Sequence, residues 1–129
     1  MDIIKNVPSV NFHLWQQCNM KCGYCFGKFV DTPIKLSKAH LTRNETFQII
    51  KELANAGFTK INFAGGEPLL CTWLRDLIVL SHESGMTTSI VTNGTKLKKE
   101  WIQQLSGKLD WAALSIDSKN ANTNKRLGL

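Results

Sequence analysis

Eight residues carry the most evident chemistry. Cys18-Asn19-Met20-Lys21-Cys22-Gly23-Tyr24-Cys25 spaces three cysteines as C-x3-C-x2-C, with Phe26 directly after. Three thiols in so short a loop cannot be buried separately as ordinary core residues, so they point to a shared partner. Structural zinc is closed and four-coordinate, and would need a fourth protein ligand such as His13 or Cys71. An iron–sulfur cluster is also held by cysteine thiolates. Three thiolates on a four-iron cluster leave one iron open to another ligand, which makes a reaction centre rather than a staple.

Bulk properties set the frame. A chain of 129 residues is long enough for one domain with a real core. Its 43% hydrophobic and 20% charged residues are ordinary for a soluble globular protein. No apolar run approaches bilayer length, and Met1-Asp2-Ile3-Ile4-Lys5-Asn6 has no apolar core of a signal peptide. The expectation is a cytoplasmic protein with no membrane partner. Three of the four cysteines within eight residues, without an export signal, favour metal over disulfides. The net charge of +6 fits either a solvated basic surface or an anionic ligand such as a nucleotide. The lysines are scattered, and no basic stripe is interleaved with aromatics, so nucleic acid is not expected as a partner.

The elements that position the cysteines come next. Ser9 to Trp15 alternates, with Val10, Phe12 and Leu14 on one side and Asn11, His13 and Trp15 on the other. This predicts a strand whose polar face lines a site. Gln16 to Phe29 reads as a loop, and Asp31-Thr32-Pro33 breaks the chain again. Thr42-Arg43-Asn44-Glu45 fits a capping box, followed by Phe47, Ile50, Leu53 and Ala54 at helical spacing and a stop at Gly57. Lys60 to Gly65 reads as a second strand, with Ile61 and Phe63 on one face and Lys60 and Asn62 on the other. A helix follows over about 72–84, then strands over Thr87 to Thr92 and Asp110 to Asp117, with Leu97, Trp101, Ile102 and Leu105 marking the helix between them. The polar residues 118–129 contain a further helix start.

Strands alternating with helices predict an α/β fold with a parallel sheet and no linker or repeat. In such folds the site lies beyond the C-terminal ends of the strands. Those ends carry the cysteine loop, Gly65-Gly66-Glu67-Pro68, Thr92-Asn93-Gly94 and Ser115-Ile116-Asp117. All four fall on one rim. Plainer roles exist for several of these residues. Cys71 opens a helix among apolar neighbours and reads as a small core residue. His13 fits a packed strand position as well as a site, Asn62 a hydrogen-bonded core amide, and Asn93-Gly94 a turn. His40 and His82 read as surface residues, Trp73 and Trp101 as core, and Lys96, Lys98 and Lys99 as a solvated helix face.

With these motifs together, the chain resembles the radical S-adenosylmethionine (SAM) superfamily. C-x3-C-x2-C after the first strand, with Tyr24 before the last cysteine, and Gly65-Gly66-Glu67-Pro68 after the second are its two hallmarks. Within it the chain looks most like the viperin group. Asn11-Phe12-His13, Cys18 to Phe26, Lys60 to Pro68, Thr92-Asn93-Gly94 and Ser115 to Ser118 carry that likeness.

The resemblance implies a partial (β/α) barrel with about four βα units present. It implies a [4Fe–4S] cluster on Cys18, Cys22 and Cys25, with SAM chelating the open iron. Gly65, Gly66 and Glu67 would take the methionyl amine through backbone and carboxylate, the glycines allowing close approach of the ligand. Ser115 would meet the SAM carboxylate or ribose, with Tyr24 and Asn93 also at the cofactor. Asn11 and Lys60 match positions that bind a nucleoside triphosphate. The implied reaction removes the nucleotide's 4′ hydrogen and loses its 3′ hydroxyl as water, in antiviral defence. An electron donor such as flavodoxin or ferredoxin is implied as a partner. Complete members are more than twice this length, so residues 1–129 read as the N-terminal part of the core domain, cut after the fourth strand. The family's Leu/Ile-Gly-Arg stands here as Leu127-Gly128-Leu129, without the arginine. Another radical SAM activity (a protein activase or a modified-base synthase) and a non-catalytic cluster-binding module are the rival readings.

Overall fold

Parallel strands set edge to edge in chain order form the frame. The structure is a computed structural model and describes residues 7–25 and 41–129. The expectations for Met1–Asn6, for Phe26 and the rest of the loop to Phe29, for Asp31-Thr32-Pro33 and for His40 lie outside the described residues. The strands are β1 (Ser9–Trp15), β2 (Lys60–Gly65), β3 (Thr87–Thr92) and β4 (Trp111–Leu114), ordered β1-β2-β3-β4 and all parallel. The helices are α1 (Arg43–Asn55), α2 (Leu74–Glu83), α3 (Lys99–Gln104) and α4 (Ala121–Leu127), with a 3-10 turn at Pro68–Leu70. A parallel sheet built in chain order by right-handed crossovers puts successive helices on one face. The core accordingly lies on one side of the sheet.

Local chemistry sets the helix bounds. Thr42 caps α1: its hydroxyl accepts from the Glu45 N–H, and the Glu45 carboxylate accepts from the Thr42 N–H at 2.7 Å. Gly57, at φ 96°, takes the left-handed turn that ends this helix. Leu74, Leu77, Ile78 and Ser81 recur at helical spacing and bury one stripe of α2. This helix begins two residues later than its sequence pattern predicts, because the 3-10 turn at Pro68–Leu70 and a further turn at 72–73 occupy the chain first.

The buried core comprises Leu14, Ile50, Ile61, Phe63, Cys71, Leu74, Leu77, Ile78, Met86, Ile90 and Leu105. Phe12 and Phe63 meet across β1 and β2, ring centroids 6.1 Å apart. The observed bounds of β2 and β3 are those read from the sequence. β4 is shorter than Asp110 to Asp117. Asp110 turns back to accept the Thr88 N–H at 2.8 Å, and Ser115 to Asp117 leave the sheet as a loop. Trp15 also departs from its expected side. The register slips between His13 and Trp15, and Trp15 packs edge-on against Trp73, centroids 5.6 Å apart, instead of following Asn11 and His13. Among the described residues no helix is long and apolar enough to cross a membrane.

Candidate active site

The four strand ends meet around the cysteine loop. The first contact is made by β2. The Gly66 N–H donates to the Trp15 carbonyl, and the Glu67 N–H to the Gln17 carbonyl at 2.8 Å. A Cβ on Gly65 would fall 2.3 Å from the Trp15 carbonyl oxygen, and one on Gly66 2.3 Å from that of Gln17. Both glycines therefore have a reason inside the protein: the segment entering the loop lies directly against them. Gly65, at φ 137°, adds a backbone conformation that side chains disfavour.

Glu67 is fully buried. One carboxylate oxygen accepts from the Leu69 N–H at 3.0 Å and the Thr92 hydroxyl at 2.5 Å, the other from the Asn93 N–H at 2.8 Å. The carboxylate binds the end of β2 to the end of β3. The resemblance gives this carboxylate the methionyl amine as partner; in the structure it is engaged by these three protein donors. Only the backbone of this motif faces the loop.

β3 supplies the next contacts. The Asn93 amide donates to the Asn19 side-chain oxygen at 2.9 Å and lies 3.8 Å from Cys18 Sγ. The Asn19 amide donates to Thr95 Oγ1 at 2.7 Å, and Thr95 in turn donates to Asn93 Oδ1. Asn93 thus holds the loop as well as forming a turn. Thr95 is a site residue that the sequence reading missed; its signal was the polar residue directly after Asn-Gly. From the β4 side, the Tyr24 hydroxyl donates to Asp117 at 2.5 Å. That carboxylate, with smaller contributions from burial and the nearby Cys22, pushes the Tyr24 hydroxyl above the ordinary phenol range. Ser115 is exposed, and its N–H donates to the Thr92 carbonyl at 2.9 Å.

Cys18 and Cys25 are exposed and Cys22 is half-buried. The three thiols share one loop without closing on a point: among the described residues no three histidine, cysteine or carboxylate groups converge as a metal cage. Cys71, the alternative fourth zinc ligand, sits in the core, where burial pushes its thiol upward. Three cysteine thiolates in one loop, two exposed and one half-buried, are a donor set that fits an iron–sulfur cluster. The Met20 N–H, at 3.4 Å, and the Asn93 amide both point at Cys18 Sγ, and such donors stabilise a ligating thiolate.

Not every expected residue is on this rim. Asn11 and Lys60 lie down the sheet face away from the core. Lys60 opens β2, five residues before Gly65, so about 16 Å separates them along the strand. Between them runs a polar chain: the Asn62 amide donates to Asn11 Oδ1 at 3.0 Å, and the Ser89 hydroxyl to Asn62 Oδ1 at 2.8 Å. His13 is exposed on the same face.

The model of the radical SAM superfamily matches residues 13–128. An S-adenosylmethionine-dependent nucleotide dehydratase of Flammeovirga pacifica is 52% identical over 95% of this chain and 42% of its own length. One from Lacinutrix mariniflava is 48% identical over 97% of this chain and 26% of its own. The chain therefore spans less than half the length of these relatives. Among solved structures, Streptococcus suis SuiB bound to S-adenosylmethionine superposes with a TM-score of 0.70 at 22% identity, over 92% of this chain and 26% of that one, which is a likeness of fold. A parallel sheet whose strand ends clasp a C-x3-C-x2-C loop, matched by the family model over nearly its whole described length, makes this chain a member of the radical SAM superfamily, whose proteins use a [4Fe–4S] cluster and SAM.

Proposed function

We propose that residues 1–129 are the cluster- and SAM-binding part of the core domain of a viperin-like nucleotide dehydratase, a lyase of antiviral defence acting on a nucleoside triphosphate. One observation carries the reading. The cysteine loop stands at the rim of the sheet, and Asn11 and Lys60 lie on the face away from the core below it, Asn11 level with Asn62 and Lys60 about 16 Å down the strand. That separation suits an extended nucleotide with its ribose toward the rim and its phosphates at Lys60. An exposed ammonium meets phosphate as a point charge, and the Asn11–Asn62–Ser89 chain offers fixed amide groups to the sugar or base.

When bound, the cluster and SAM supply a 5′-deoxyadenosyl radical at the rim. The protein's own part is positioning. Cys18, Cys22 and Cys25 hold the cluster. The Gly65–Gly66 backbone, Tyr24, Asn93 and Ser115 border the space for SAM, and Glu67 serves that space by fixing the ends of β2 and β3. The 4′ hydrogen of the nucleotide is removed and its 3′ hydroxyl leaves as water. The electrons would come from a donor of the flavodoxin or ferredoxin class. The setting is cytoplasmic, with neither nucleic acid nor membrane as partner.

The test is anaerobic reconstitution of this chain with iron and sulfide. SAM, a reductant and mixed nucleoside triphosphates are then added, and the products are read by mass spectrometry. The expected result is 5′-deoxyadenosine together with a nucleotide lighter by one water. Formation of 5′-deoxyadenosine with every nucleotide intact would overturn the dehydratase reading and favour another radical SAM activity.

A further inference from the structure

The cysteine loop is held from a fourth direction that the reaction does not account for. The Lys21 N–H donates to the Gly128 carbonyl at 3.0 Å, and the Gly23 N–H to the Leu127 carbonyl at 2.9 Å. These two bonds flank Cys22. They come from the end of α4, more than a hundred residues away in sequence. Gly128 closes α4 in the left-handed conformation, φ 85°. A Cβ there would fall 2.3 Å from the Lys21 carbonyl oxygen, 2.8 Å from its carbon and 3.3 Å from Cys22 Cα. Backbone atoms cannot swing aside as a flexible side chain does. Position 128 therefore admits glycine for two separate reasons, its backbone angle and the loop pressed against it.

We infer that Gly128 is a positioning residue for Cys22: the Leu127–Gly128 corner clamps the middle of the cysteine loop and fixes where the second cluster thiolate stands. The inference rests on the cysteines being cluster ligands and is independent of the nucleotide chemistry. The strand-end contacts hold the loop's first half, from Trp15 to Asn19. The α4 corner holds Lys21 to Gly23, and Tyr24 adds its bond to Asp117. Without the corner, the two amides beside Cys22 lose these partners and the thiolate between them becomes free to wander.

A matched pair of glycines separates the two reasons. Gly85 ends α2 at φ 84°, nearly the angle of Gly128, but a Cβ there meets nothing within 4 Å. Gly85→Ala thus introduces the backbone strain alone, and Gly128→Ala introduces the strain and the collision. Gly128→Asn relieves much of the strain, since asparagine tolerates this conformation, and keeps the collision. Hydrogen exchange is measured on the metal-free chain, where neither cluster nor turnover contributes. In Gly128→Ala and Gly128→Asn the Lys21 and Gly23 amides exchange faster by about tenfold or more, with Ile61 and Phe63 unchanged as reporters of the core. In Gly85→Ala they exchange as in the parent. After reconstitution, both Gly128 variants release iron to a chelator several-fold faster than the parent and Gly85→Ala. Unchanged Lys21 and Gly23 exchange in Gly128→Asn would overturn the clamp, as would equal iron loss from Gly85→Ala. Neither result bears on whether a nucleotide is the substrate.

Discussion

Toward the helices, β1 to β3 present Leu14, Ile61, Phe63, Thr88, Ile90 and Thr92, all at 3% exposure or less. On the opposite face of the same strands stand Asn11, His13, Lys60, Asn62 and Ser89, none of them buried. Even the threonines of the buried face are satisfied internally, Thr88 by the Lys108 carbonyl and Thr92 by Glu67. One face is dry and holds the chain folded; the other keeps polar groups in a row where a ligand can reach them. Adjacent residues belong to opposite faces, so a one-residue slip would exchange the two roles. Under the proposed function, stability and nucleotide binding fall to alternate residues of the same strands.

Neighbouring substitutions in β2 give the largest contrast. Phe63→Ala removes a fully buried ring and is expected to cost about 3–5 kcal/mol, enough to unfold much of the population. Asn62→Ala removes two side-chain hydrogen bonds on the open face and is expected to cost no more than about 1.5 kcal/mol. Urea unfolding of both variants measures the difference. Equal costs would mean that the open face is as structural as the core. The same Asn62→Ala chain is expected to lose nucleotide affinity in equilibrium dialysis, an effect that Phe63→Ala cannot show selectively.

Glu67 sharpens the comparison, because it is a charged residue on the dry side at the rim. Glu67→Gln keeps the shape but replaces one acceptor oxygen by an amide donor, which then faces an N–H or hydroxyl donor. A cost of about 1–3 kcal/mol is expected in the metal-free chain, read by thermal or urea unfolding. An unchanged midpoint, with weaker SAM binding only, would restore the carboxylate to the cofactor.

The alternation of apolar and polar residues made the frame legible. Lys60 to Gly65 and Thr87 to Thr92 carry it cleanly, and both strands have the bounds it predicts. The Thr42–Glu45 capping box is equally local, and it forms as read. What was not legible depends on which way a group turns once neighbours from elsewhere arrive. Glu67 follows two glycines at a strand end, which looks the same in sequence whether its carboxylate faces a ligand or folds back onto Thr92. Trp15 continues an alternation that a register slip interrupts, and nothing local announces the slip. The glycines at 65 and 66 read as room for a ligand, and the sequence gives no sign that the Trp15–Gln17 backbone also lies against them. The cysteine spacing identified the loop, but its attachment to α4 across more than a hundred residues had no local signal.

The smallest expected effect concerns the exposed edge of the loop, where Tyr24 meets Asp117. Both residues are exposed, so the pair adds little to stability. Its signature is a titration. Tyr24 is the one tyrosine in the chain, so tyrosinate absorbance reports it alone. The Asp117 carboxylate accepts its proton, which favours the neutral phenol in the fold and raises its pKa above the ordinary value of about 10. The sign follows: the pair's contribution is complete below the unfolded-state value and is lost as pH rises through the raised folded one. The metal-free parent is therefore expected to ionise at higher pH than its urea-unfolded form. Asp117→Asn removes the charged acceptor and should bring the two curves nearly together. If the folded parent already titrates like the unfolded chain, the Tyr24–Asp117 bond does not persist in solution. The loop would then be held by its strand-end and α4 contacts without help from β4, and the clamp on Cys22 would carry more of the positioning.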